Sequence, residues 1–124
     1  MKSEGPGPFP IDGQPLLLAG AKASLPPSRL PELLAAVQRY LSGELETYRR
    51  SYERIYTDDD REVFVVPTEH WESIGEACGL DRRETDGVRR AHVEQFRRLG
   101  SKTDRREEFE TTLEIRSVVV IGCS

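Results

Sequence analysis

From Leu30 to Ile55, apolar side chains recur at three- and four-residue steps: Leu30, Leu33, Leu34, Val37, Leu41, Leu45, Tyr48, Tyr52 and Ile55. A period near 3.6 lines one face of an α-helix, so the spacing predicts a long helix over about 29–56. A stripe of that length is stable only against a partner layer, which restricts the chain to folds in which this helix packs on something equally apolar. Ser28 can cap the helix, and Pro31 falls in its first turn, where a missing N–H has no intrahelical partner. Ser42-Gly43 is the expected bend.

The partner layer is sought in the remaining apolar runs. Glu62-Val63-Phe64-Val65-Val66 reads as a strand ended by Pro67. From Glu108 to Arg116 the chain alternates, with Phe109, Thr111, Leu113 and Ile115 on one side, and Val118 to Ile121 is continuously apolar. The whole of 107–121 therefore reads as a strand, half-exposed at first and covered on both faces at its end. Leu16 to Ala19 reads as a short strand or packing segment that adds an edge, closed by the breaker Leu25-Pro26-Pro27.

Between the strands, Thr68 can cap a short helix reaching Cys78, with Gly79 ending it in a left-handed conformation. Asp81 with Glu84 three residues on forms a capping box, and Val88, Ala91, His92, Phe96 and Leu99 give the next helix, 82–99, its apolar face. The expected fold class is α+β: three helices, one long, packed on a small, mostly antiparallel sheet. Residues 1–15, with four prolines and three glycines, read as a flexible leader, and 16–124 as a single α+β domain.

Residues 74–90 resemble a helix-turn-helix. Gly75 stands where a small residue lets two helices approach, Gly79 where the turn falls, and Ile74, Leu80 and Val88 where the shared core forms; Thr85 and Gly87 depart from the pattern. The element order also resembles a winged helix, but no turn residue in 107–121 closes a wing. Residues 81–106 hold nine basic groups against five acidic in a chain of net charge −4. The resemblance implies that Arg82, Arg83, Arg89 and Arg90 meet DNA phosphates. The competing account is that Asp81, Glu84 and Asp86 serve the helix dipole and that the arginines form a solvated face.

Arginine outnumbers lysine fifteen to three beside twenty-two carboxylates. That balance resembles haloarchaeal proteins, and the chain resembles the small uncharacterised proteins of that group. Cys78 and Cys123 have no framework spacing, which suggests a reducing, cytoplasmic setting. No run is long enough to cross a bilayer, so no membrane contact is expected. His70, His92, Cys78 and Cys123 lack metal-ligand spacing, Asp58-Asp59-Asp60 lacks the alternation of a calcium loop, and no P-loop, dinucleotide fingerprint or nucleophile elbow occurs. No metal, cofactor or catalytic residue is therefore expected. The expected function is a non-catalytic interaction or structural module, with a protein partner or self-association through apolar surface near Tyr48, Tyr52 and Tyr56. The alternative is a helix-turn-helix DNA-binding protein. Trp71 is expected as a core anchor or as the centre of a partner surface, His92 as a buried core residue and His70 as exposed.

Overall fold

Residues 10–26 and 28–123 are described by a computed structural model. The apolar stripe of 29–56 does bury, but not as one helix. Helix α2 spans Arg29–Gly43, α3 spans Leu45–Ser51, and strand β1 takes Glu53–Thr57. Leu30, Leu33, Leu34, Val37 and Leu41 are buried along α2. The break falls at the expected Ser42-Gly43, where Glu44 leaves helical geometry at φ −107°, ψ 7°. A second departure follows at Tyr52, which is extended at φ −131°, ψ 154°. Aromatic and β-branched residues at Tyr52, Ile55, Tyr56 and Thr57 prefer the pleated conformation, so the stripe continues as a strand.

Strand β2, Arg61–Val66, pairs antiparallel with β1 across the turn Asp58-Asp59-Asp60. That turn is built by Asp58, whose Oδ1 accepts the amide hydrogens of Asp60 at 2.8 Å and Arg61 at 3.0 Å. Short aspartate side chains bond the backbone two or three residues on, which reverses the chain without a glycine. Register shifts between Arg54 and Tyr56, leaving Ile55 as a bulge.

The sequence reading of 107–121 as one strand is corrected: α6 spans Arg106–Ile115 and only β3, Ser117–Gly122, is extended. Phe109 and Leu113 satisfy both a two-residue and a four-residue period, so alternation alone could not separate the alternatives. Ile115 decides it, being 69% exposed where a strand would place it beside Phe109. Glu107 and Glu108 in the first turn complement the helix dipole. Leu16 to Ala19 is likewise helical, within α1, Gly13–Ala23, with Pro15 in its first turn. Of the expected leader, residues 1–9 lie outside the described residues, Ile11 is buried, and α1 begins at Gly13.

The described residues thus form six helices and a three-stranded antiparallel sheet of order β1-β2-β3. The α+β class stands; the count of three helices does not. The winged-helix order also fails, because a β1–β2 hairpin precedes the middle helices and α6 separates α5 from β3.

Helix α4, His70–Cys78, and helix α5, Arg82–Lys102, follow their expected signals closely. Gly79 ends α4 at φ +73°, a conformation other residues rarely adopt. Both bonds of the Asp81–Glu84 capping box are present. Ser28 and Thr68 make no side-chain cap; Glu69 occupies the position before α4. Helix α5 is the centre of the molecule, with α1, α2, α4, α6 and β3 packed around it. Val88, Ala91, His92, Phe96 and Leu99 are all buried, and Val118 to Ile121 beneath them are fully buried on both faces.

Candidate functional site

The four arginines expected to meet phosphate do not form one bare patch. Arg82 and Arg83 lie exposed in the first turn of α5, with no carboxylate partner among the described residues. Arg89 and Arg90 instead clasp the two oxygens of Asp86, each at 2.7 Å. Partial burial works against the Asp86 carboxylate, yet these two guanidinium bonds hold its pKa below the usual range. Further along, Arg97 bridges Glu94 at 3.2 Å and Glu110 at 3.0 Å, and Arg98 reaches Asp12 at 3.1 Å. The basic surplus of this segment is therefore largely matched by acids of the same molecule.

The turn between α4 and α5 has the close approach that the motif wants. A Cβ on Gly75 would come within 2.3 Å of Thr85 Oγ1, so these two helices meet through a glycine and a β-branched hydroxyl. The cleft outside that contact, about 440 Å³, is lined by Glu72, Glu76, Asp81 and Asp86 as well as Arg82 and Arg89. Four carboxylates around the helix start oppose the entry of a polyanion.

Several polar groups in the interior bond the backbone of β3, while Arg61 Nε, His92 Nε2 and Ser117 Oγ have no partner among the described residues. Residues 118, 120 and 122 of β3 turn their amide and carbonyl groups away from β2. Trp71 Nε1 donates to the Val118 carbonyl at 3.1 Å, Gln38 Nε2 to the Val120 carbonyl at 2.6 Å, and Gly122 N to Gln38 Oε1 at 3.1 Å. His92 Nδ1 accepts from Val120 N at 2.9 Å, which assigns the ring hydrogen to Nε2. Complete burial lowers the His92 pKa to about 3 and keeps the ring neutral. Gln95, also fully buried, accepts from Asp12 N at 2.6 Å and ties the entry of α1 to α5.

His70 is not the exposed residue expected. The Tyr48 hydroxyl hydrogen-bonds its Nε2 at 2.5 Å, and the Tyr52 hydroxyl lies 3.5 Å from Nδ1. Burial lowers the His70 pKa and raises that of Tyr48, so both partners stay neutral near pH 7. The four-residue step from Tyr48 to Tyr52 was the available signal, because it places both hydroxyls on one side of the chain. Cys78 is half-buried, and burial raises its thiol pKa, which favours the unreactive protonated form. Among the described residues, no group of three or more His, Cys, Asp or Glu side chains could hold a metal ion.

The expected apolar surface around Tyr48, Tyr52 and Tyr56 is also absent, since Tyr48 is buried and the other two are half-buried. Exposed large apolar side chains are Tyr40 on α2, Ile115 at the end of α6 and two neighbours on α1. Leu17 is 76% exposed and Leu18 44%. Leu17 itself lines a hollow of about 270 Å³, together with Leu16, Gly20, Ala21, Leu25, Pro26 and Leu30.

These features define an α+β domain built round one central helix, with Gln38, Trp71 and His92 closing a sheet edge. The chain belongs to the family described as a domain of unknown function, DUF8048, which it matches over residues 9–123. Comparison with curated proteins and with solved structures found no match.

Proposed function

We propose that the protein is a non-catalytic interaction module of a halophilic archaeon, working in the cytoplasm, and that it pairs with a second copy of itself through α1. The observation that carries this reading is the exposed Leu17 on the wall of an apolar hollow that α1 forms with Leu25, Pro26 and Leu30 of α2. An exposed leucine on the wall of such a hollow can enter the hollow of a second copy related by a two-fold axis. Charge favours a second copy as the occupant. Gly13–Ala23 contains no carboxylate, and its one cation, Lys22, lies 3.6 Å from Glu94 of the same chain. Two molecules of net charge −4 can therefore meet on this face without like charges opposing across it. Burying one leucine side chain is worth about 1.5–3 kcal/mol, and symmetry doubles every contact.

The commitment of His92, Gln38, Gln95 and Trp71 to structural bonds supports a non-catalytic role. The excess of carboxylate and arginine over lysine supports the source, and two free thiols fit a reducing compartment. In addition, among the described residues no helix is long and apolar enough to cross a membrane.

The test is sedimentation equilibrium of the wild-type chain and of Leu17→Asp. A concentration-dependent dimer that Leu17→Asp abolishes supports the reading; a monomer at every concentration removes it. Duplex DNA binding is the second reading, favoured by the exposed Arg82 and Arg83, which have no carboxylate partner among the described residues. It predicts salt-sensitive amide shifts over residues 82–98 on titration with duplex DNA.

A further inference from the structure

We infer that a cleft between the middle of α5 and the start of β3 binds a phosphate-type oxyanion, either free phosphate or the phosphate of a small monoester. Its volume is about 280 Å³, and its polar lining is Arg89, Arg97, Arg116, Thr68 and Ser117. The sequence folds to this arrangement for simple reasons. Arg89, Val93 and Arg97 are spaced at four-residue steps, so they share one face of α5. Arg116 and Ser117 are brought opposite them where α6 ends and β3 begins, and Thr68 arrives from the segment between β2 and α4.

Two independent observations point to a ligand here. Ser117 is only 4% exposed, and its hydroxyl has no hydrogen-bond partner among the described residues. Nearly all buried hydroxyls are paired, so an orphan lining a cleft marks a place where an acceptor belongs. The second observation is the donor balance of the guanidinium groups. Arg89 uses Nη2 on Asp86, leaving Nε and Nη1. Arg97 uses Nε on Glu110 and Nη1 on Glu94, leaving Nη2. Arg116 uses only Nη1, on the Ile115 carbonyl, and has no carboxylate partner among the described residues.

Arg89 and Arg97 are each balanced by carboxylates but keep unused N–H donors at the cleft, Arg116 has no carboxylate to balance it among the described residues, and guanidinium forks match the oxygens of phosphate. Val93 and Leu113 complete the wall and leave room for a short apolar substituent. The cleft is just below the roughly 300–1,000 Å³ of sites for drug-sized ligands, which fits a phosphate carrying few further atoms.

The site lies away from the exposed ridge of α1 and does not depend on self-association. The experiment titrates inorganic phosphate into the full chain at constant ionic strength, with chloride as the balancing anion, and follows amide and arginine Nε shifts. A parallel arm uses a short DNA duplex. Saturable shifts at Thr68, Arg116 and Ser117 are expected. Arg116→Gln, at an exposed position, should weaken binding at least about tenfold, the loss expected for one charge-assisted hydrogen bond. Arg82→Gln should leave the affinity unchanged, and Ser117→Ala should weaken it with folding retained. Shifts that grow without saturating, an affinity unchanged in Arg116→Gln, or a response to the duplex alone would each overturn the site.

Discussion

Nδ1 of His92 accepts the amide hydrogen of Val120 at 2.9 Å, and both residues are fully buried. β3 is an edge strand by topology, yet it lies inside the molecule, where water cannot satisfy its outward backbone groups. The histidine does so, together with Gln38 and Trp71. Gln38 on α2, Trp71 on α4 and His92 on α5 are thus explained by the edge they close, which also denies that edge to a strand of another chain.

Replacing His92 by leucine keeps most of the volume and removes the acceptor. The Val120 N–H is then buried without a partner, at a cost of about 1–3 kcal/mol, offset in part because the unpartnered Nε2–H of His92 is removed as well. Urea unfolding measures the loss, and faster exchange of the Val120 amide locates it. An unchanged midpoint would mean that the bond contributes nothing.

The same ring makes stability depend on pH. In the unfolded chain His92 titrates near its ordinary value of 6.5, whereas in the fold it stays neutral down to about pH 3. Below pH 6.5 the unfolded state therefore binds a proton that the native state refuses, and stability falls as pH falls. The slope approaches about 1.4 kcal/mol per pH unit from this residue, with His70 adding in the same direction. Asp58, Glu62 and Asp86, whose pKa values are lowered, contribute stability above their unfolded values and lose it only at more acid pH. Denaturant titrations between pH 5 and 6.5 consequently isolate the histidines, and His92→Leu should flatten that slope.

Gly75 and Thr85 should behave as a coupled pair. Gly75→Ala places a methyl group 2.3 Å from Thr85 Oγ1, and relief requires α4 and α5 to separate. Overpacking of this kind costs about 1–3 kcal/mol. Thr85→Ala removes the obstructing hydroxyl and γ-methyl, so the double variant should be more stable than the sum of the single losses predicts. Additive losses in a thermal-melt cycle would contradict the close approach.

Asp58 is the turn of the β1–β2 hairpin. Besides the two amide hydrogens it accepts the Tyr56 hydroxyl at 2.8 Å through its other oxygen. Asp58→Ala removes all three bonds and should cost about 1–2 kcal/mol, with Asp58→Asn retaining part of that. Asp59→Ala, at the exposed next position, should be neutral in the same denaturant series.

What the sequence revealed depended on whether a local signal had one meaning. The Asp81–Glu84 box, Gly79 and the apolar face of α5 each admit a single reading, and that region forms where expected. At 107–121 a short run satisfied two periods at once, and only the exposed Ile115 separates helix from strand. At 29–56 a continuous apolar stripe passed from helix to strand without changing spacing, because Ile55 meets the core from either geometry. The arginines of α5 were legible as basic residues, but their charge was not, since Asp86 lies in the same helix while Glu110 and Asp12 arrive from distant segments. Ser117 gave no signal at all, because an unpaired hydroxyl exists only once the chain is folded.

Self-pairing through α1 is tested most directly by dilution of the isotopically labelled wild-type chain, following amide shifts from millimolar to micromolar concentration. The account predicts changes confined to about residues 14–26 and 30, around Leu17 and its hollow, and their disappearance in Leu17→Asp. Shifts centred on residues 82–98 or on β1 instead, or none across that range, would contradict it.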